Sequence, residues 1–165
     1  MSEALHQGII DKEKRVFSLK KKVQAEMSLK IRILSKNVEV RRHLKRMVGL
    51  HPAWKTVGGT DFDKAMAGSP LKRPPDVVIA EMSRLDADMI PLIAAIRIKF
   101  GDSKILAVSD QSDSRLVLRI IHAGANGFMI SDRTSEELTT AIKTVVAGGL
   151  YLSPGIAGLA GRRPS

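Results

Sequence analysis

Ser109, Glu81 and a scatter of aspartates are the side chains with chemical potential in this 165-residue chain, and their spacing points away from catalysis. There is no cysteine, which removes thiol nucleophiles, disulfides and cysteine zinc sites and fits a cytoplasmic protein. The four histidines, His6, His43, His51 and His122, lack metal-ligand spacing, and none stands in a triad pattern with Ser109. Asp86 and Asp88 follow Glu81 and could share a proton or a cation. Capping of a following helix explains Asp88 more simply. Asp110, Asp113 and Asp132 read as loop and cap residues. Gly124 and Gly127 precede an apolar run instead of following one, so they are turn glycines and not a dinucleotide fingerprint. The expectation is a non-catalytic domain with no metal and no cofactor.

Charge is the unusual bulk property. The formal net charge is +10, and residues 27–75 hold most of it, with eleven basic residues against three acidic ones. Arg41, Arg42, Lys45 and Arg46 concentrate it on one stretch, a possible basic binding face. No aromatics are interleaved there, so such a face could hold phosphates without reading bases, or dock an acidic protein. The plainer reading is a solvated surface. No run of eighteen apolar residues exists to span a bilayer.

The elements that must position these residues alternate short apolar runs with helix-period stretches from 28 to 147. That alternation predicts βαβ units and an α/β fold. Strands are expected at 29–34, 54–57, 76–82, 104–109 and 127–130, with Gly58 and Gly59 ending the second. Helices are expected at 38–48, 61–66, 88–99, 112–122 and from Thr134, whose capping-box partner is Glu137, to Gly148. In the first of these helices, 38–48, Val40, Leu44, Met47 and Val48 face inward and the four basic residues face out. Right-handed crossovers make this a doubly wound, five-stranded parallel sheet in the order 2-1-3-4-5. Residues 1–27 form a helical extension, which packs on the domain or pairs with a second copy. Residues 28–150 form the domain and 151–165 a flexible tail.

In such sheets ligands bind at the carboxyl ends of the strands, and the sequence there resembles a known family. Asp76-Val-Val-Ile-Ala-Glu-Met82 resembles the strand that ends in the phosphoacceptor aspartate of response-regulator receiver domains. Lys104-Ile-Leu-Ala-Val-Ser109 resembles the strand ending in their Thr/Ser, and Ala123-Gly-Ala-Asn-Gly-Phe-Met-Ile-Ser131 the stretch around their lysine. Gly148-Gly-Leu-Tyr-Leu-Ser-Pro154 resembles the receiver end in the subfamily with a C-terminal LuxR-type helix-turn-helix. The resemblance spans residues 29–154 and implies the CheY-like, flavodoxin-like fold.

Carried over position by position, it implies a degenerate phosphoacceptor pocket. The acidic pair that holds magnesium is replaced by Ser35 and Lys36, the acceptor aspartate by Glu81 and the lysine by Ser131. Ser109 keeps the hydroxyl, and Phe128 occupies the switch aromatic position. Lys36 and Glu81, on neighbouring strands, either form an ion pair where the metal would be or both point to water. The resemblance thus implies a pseudo-receiver: a phosphorylation-independent, cytoplasmic signalling domain of the two-component type. It would act by binding a protein partner, often as a homodimer. Nucleic-acid or anionic-surface binding through the basic first half is the alternative, and an active phosphoacceptor receiver a lesser one.

Overall fold

A computed structural model of the chain describes residues 2–26, 28–69, 72–83, 88–131 and 134–156, with the backbone alone for 21–26. Strand β1 (Leu29–Leu34) is followed by α2 (Val38–Gly49), β2 (Trp54–Thr60), α3 (Phe62–Ala67), β3 (Val77–Glu81) and α4 (Met89–Phe100). Then come β4 (Lys104–Ser109), α5 (Ser114–His122), β5 (Gly127–Ile130), α6 (Ser135–Val146) and β6 (Tyr151–Leu152). Helix α1 (Ser2–Glu26) precedes them. All pairings are parallel, in the order β2-β1-β3-β4-β5-β6. The expected five-strand order is present, with a sixth short strand at the edge.

The sheet is covered on both faces, which is why its central strands are continuous apolar runs. Ile31, Ile33, Ile79, Leu106 and Val108 pack against Leu44, Met47 and Val48 of α2 and Leu138, Ala141 and Ile142 of α6. On the other face Leu34, Val78, Ala80, Ile105, Ala107 and Phe128 meet Phe62 of α3, Ile93 and Ile96 of α4 and Val117 and Ile120 of α5. Caps set the helix starts: Asn37, Asp61, Asp113 and Thr134 each accept main-chain N–H groups of the first turn. Asp88 occupies the N-cap position of α4 but has helical backbone angles and makes no side-chain cap bond there. With a cap at Asp113, α5 begins two residues later than its pattern suggested.

Several expectations are corrected. Gly58 and Gly59 do not end β2, which continues to Thr60. Ile31 pairs with Thr56 and Ile33 with Gly59, so Val57 and Gly58 together lie opposite Arg32 in a bulge. Gly58 takes φ +85°, a left-handed conformation that a side chain resists. Residues 151–156 are not a loose tail. Tyr151 and Leu152 pair with Gly127 and Phe128, and Ser153 and Ile156 are buried. Residues 157–165 lie outside the described residues. The side chains of residues 2–9 and 11–20 are exposed, so this part of α1 does not pack on the domain. No helix among the described residues is long and apolar enough to cross a membrane.

Candidate functional site

Parallel strands end together, so β1, β3, β4 and β5 deliver Ser35, Glu81, Ser109 and Ser131 to one rim. Glu81, the last residue of β3, is only 4% exposed. A carboxylate that deep needs donors, and serine supplies them. The Ser35 hydroxyl donates to Glu81 Oε2 at 2.5 Å, and the hydroxyl of the exposed Ser83 adds a longer bond, 3.3 Å, to Oε1. Ser35 is itself wholly buried and anchored. Its N–H donates to the Thr60 carbonyl (3.1 Å), its carbonyl accepts from Arg41 Nη1 (2.5 Å), and its Oγ accepts from the Asn37 N–H (3.1 Å).

Lys36 takes no part in this. It is exposed, and among the described residues the ion pairs are Arg42–Glu39 and Lys64–Asp61. Of the two alternatives, the Lys36–Glu81 ion pair is therefore corrected: an ammonium keeps its hydration at the rim, while a buried carboxylate is satisfied by the short hydroxyl beneath it. Lys36 and Glu81 do line one cleft of about 250 Å³, whose other walls include Phe62, Met82, Met89 and Leu92.

On the other side of the rim, Ser109 is fully buried. Its Oγ accepts the Gln111 N–H at 3.2 Å, and its carbonyl accepts the Ser131 N–H at 2.8 Å. Ser131 is half-buried, and Phe128 is fully enclosed in the core. Asp110 is exposed at the rim, whereas Asp86 and Asp132 lie outside the described residues. The basic face is smaller than expected. Arg41 is half-buried on the Ser35 carbonyl, which leaves Arg42, Lys45 and Arg46 exposed, and Arg42 pairs with Glu39 at 3.1 Å.

A receiver's magnesium ion needs several oxygen ligands in near-octahedral array. Among the described residues one carboxylate has both oxygens occupied by serine hydroxyls, and the other charged group lining the cleft is an ammonium. That donor set does not fit a hard divalent cation. Among the described residues no three carboxylates or imidazoles converge as a metal site.

Removing the donor tests this geometry. Ser35→Ala leaves Glu81 Oε2 without its short bond and is expected to cost about 1–3 kcal/mol in urea unfolding, the usual penalty for an unsatisfied buried acceptor. Ser83→Ala, whose bond is longer and whose side chain is exposed, is expected to cost less. Equal effects would show that Ser35 does not hold the carboxylate.

Sequence reasoning missed two polar clusters. Arg97 binds main-chain carbonyls of the turns before β4 and β5, and in the sequence it stands out only as one of two cations in an otherwise apolar helix. Glu137 donates its main-chain N–H to Thr134 Oγ1 at 3.3 Å, as the capping spacing expects, and its Oε1 also accepts from the Tyr151 hydroxyl at 2.8 Å and the Ser153 hydroxyl at 2.7 Å, tying β6 to α6.

No family model matches the chain. Among curated proteins, it is 30% identical over 128 residues to the transcriptional regulatory protein UhpA of Salmonella typhimurium, covering 77% of this chain and 63% of that one. It is 30% identical over 121 residues to the DNA-binding transcriptional activator DevR/DosR of Mycobacterium tuberculosis, covering 73% and 55%. With DegU of Brevibacillus brevis it shares 22% over 129 residues, 78% of this chain and 55% of that protein. The chain therefore spans a little over half the length of these relatives. Among solved structures, a LuxR-family two-component response regulator from Aurantimonas superposes with TM-score 0.68 at 24% identity, covering 81% of this chain and 95% of that one. The isolated receiver domain of RcsB from Salmonella enterica superposes with TM-score 0.70 at 16% identity, covering 81% and 99%. With the strand order and these neighbours in agreement, the chain has the receiver fold, and the proteins it is similar to are response regulators of the LuxR family.

Proposed function

We propose that this receiver domain signals without taking a phosphoryl group, by binding a protein partner, a second copy of the chain being one such partner. The observation that carries the reading is the Ser35–Glu81 bond of 2.5 Å. Phosphoryl transfer to a receiver depends on a metal and positive charge to offset the negative charge that develops on the phosphoryl oxygens. Here the acceptor position holds a buried carboxylate already bound by hydroxyls, and the positions of the metal-binding pair hold Ser35 and Lys36. The retraction of Arg41 and the Arg42–Glu39 pair reduce the basic face, which favours a protein partner over nucleic acid.

The test is a titration of the full chain with Mg²⁺ in the presence of acetyl phosphate or beryllofluoride, followed by amide shifts at Glu81, Ser109 and Phe128. No saturable response is expected. A saturable response centred on Glu81 would overturn the reading and make the domain a working phosphoswitch. Binding to nucleic acid that weakens steeply with salt would move the function to the basic face.

A further inference from the structure

Arg32 is out of place. It lies in the middle of β1, on the face of the sheet covered by α3 and α4, where a parallel sheet carries apolar residues. Its guanidinium stacks over the Phe100 ring at 5.6 Å from the centroid. Its Nε is sealed from solvent without an acceptor, and among the described residues the Arg32 side chain has no hydrogen-bond or ion-pair partner. It lines a cavity of about 250 Å³ at the amino ends of the strands, opposite the Glu81 rim, together with Lys99, Phe100, Gly101, Ser69 and Pro74.

The surrounding groups leave the Arg32 charge uncompensated. The carbonyls at the end of α3 are neutralised by Lys99, whose Nζ donates to Met66 O at 3.2 Å and also to Gly68 O. Those after α4 are taken by Arg97, which donates to Gly101 O at 2.7 Å and Ser103 O at 2.6 Å. Nearby acids are engaged elsewhere. Asp76 accepts the Lys30 N–H at 2.7 Å, and Asp102 acts on Arg97. No acidic residue is among the described walls of the cavity.

A cavity that size holds about eight waters' volume, and a guanidinium nitrogen sealed from solvent, as Arg32 Nε is, normally has an acceptor. We infer that this cavity binds a small oxyanion, a carboxylate or a phosphoryl group, on the free amino groups of Arg32, with the third proton of Lys99 and the Ser69 hydroxyl at its rim. A guanidinium is suited to this because its planar fork matches both groups. The site is separate from the Glu81 pocket, and its occupancy would stabilise α3 and α4 against β1.

The test titrates the full chain with inorganic phosphate and, separately, with acetate, at constant ionic strength made up with chloride. Amide shifts are read at Arg32, Ser69, Lys99 and Gly101, with the thermal midpoint as a second measure. Saturable shifts confined to this group are expected, with a midpoint that rises by mass action. Arg32→Met should abolish the shifts. Arg32→Lys, which keeps the charge and loses the fork, should weaken binding about tenfold, as for loss of one charge-assisted bond. A response to phosphate alone assigns a phosphoryl ligand; a response to acetate assigns a carboxylate. No response beyond chloride, or shifts that survive in Arg32→Met, overturns the site. The wild-type titration decides even if a variant fails to fold.

Discussion

Phe128→Ala is expected to lower the stability of the domain by about 3–5 kcal/mol, seen as a fall of about 10 °C or more in Tm. The ring has no solvent exposure, and its strand lies between β4 and β6. It belongs to the core shared with Val117 and Ile120 of α5 and with Ile93 and Ile96 of α4. Truncation removes its transfer free energy and leaves a cavity that these β-sheet and helix neighbours cannot close without moving. Phe128→Leu should cost clearly less, because it keeps much of the volume. The consequence for function is direct. Phe128 occupies the aromatic switch position of the receiver resemblance and is three residues from Ser131, whose N–H is bonded to the Ser109 carbonyl. A ring this deeply packed is a core residue first. If both substitutions leave urea unfolding unchanged, its burial contributes nothing to the fold.

Arg97→Met is the second large effect, about 3 kcal/mol or more, from losing several charge-assisted bonds at once. The guanidinium uses all five of its N–H donors: Nε and Nη2 on Gly124 O (3.2 and 2.6 Å), Nη2 on Asn126 Oδ1 (2.7 Å), and Nη1 on Gly101 O and Ser103 O (2.7 and 2.6 Å). It thereby fastens the turn after α4 to the turn before β5. Asn126 Oδ1 also accepts the Ile105 N–H at 2.9 Å, so the same junction pins the start of β4. Burial pulls the guanidinium pKa below its ordinary value, with Asp102 opposing. The group stays charged at neutral pH, so the loss should show no pH dependence there. Methionine matches the stem and removes every donor, leaving the carbonyls to find water. Hydrogen exchange should rise first at Ser103, Ile105 and Asn126. Unchanged exchange at those amides would mean that the junction holds without its cation.

Much of the fold is legible in local pattern. The runs at Lys104–Ser109 and Gly127–Ile130 are strands with the predicted limits, because their apolar content and their flanking turns agree. Thr134 caps α6 as its spacing to Glu137 implies. The chemistry-bearing positions are legible too, since Ser35, Glu81, Ser109 and Ser131 are each the residue at, or just after, a strand's carboxyl end. The elements that resisted are those where a local signal yields to a distant partner. Gly58 and Gly59 look like a strand terminator, yet pairing with β1 carries them into a bulge. Residues 151–156 look like the start of a tail, yet β5 and Glu137 hold them.

The sequence by itself therefore determined the order of elements and the residue types at the strand ends, serine and lysine after β1 among them, because these follow from period, caps and position along a strand. Only the tertiary structure decided which side chains satisfy which. Ser35 and Glu81 are 46 residues apart; by helical period Arg41 faces out, and by strand position Lys36 faces either Glu81 or water. The outcome depends on burial and reach: Glu81 is too deep for a hydrated ammonium at the surface, while the buried hydroxyl of Ser35 lies within 2.5 Å. The same holds for Arg32, whose charge reads as one more surface cation until the sheet is covered on both faces and leaves it without a partner.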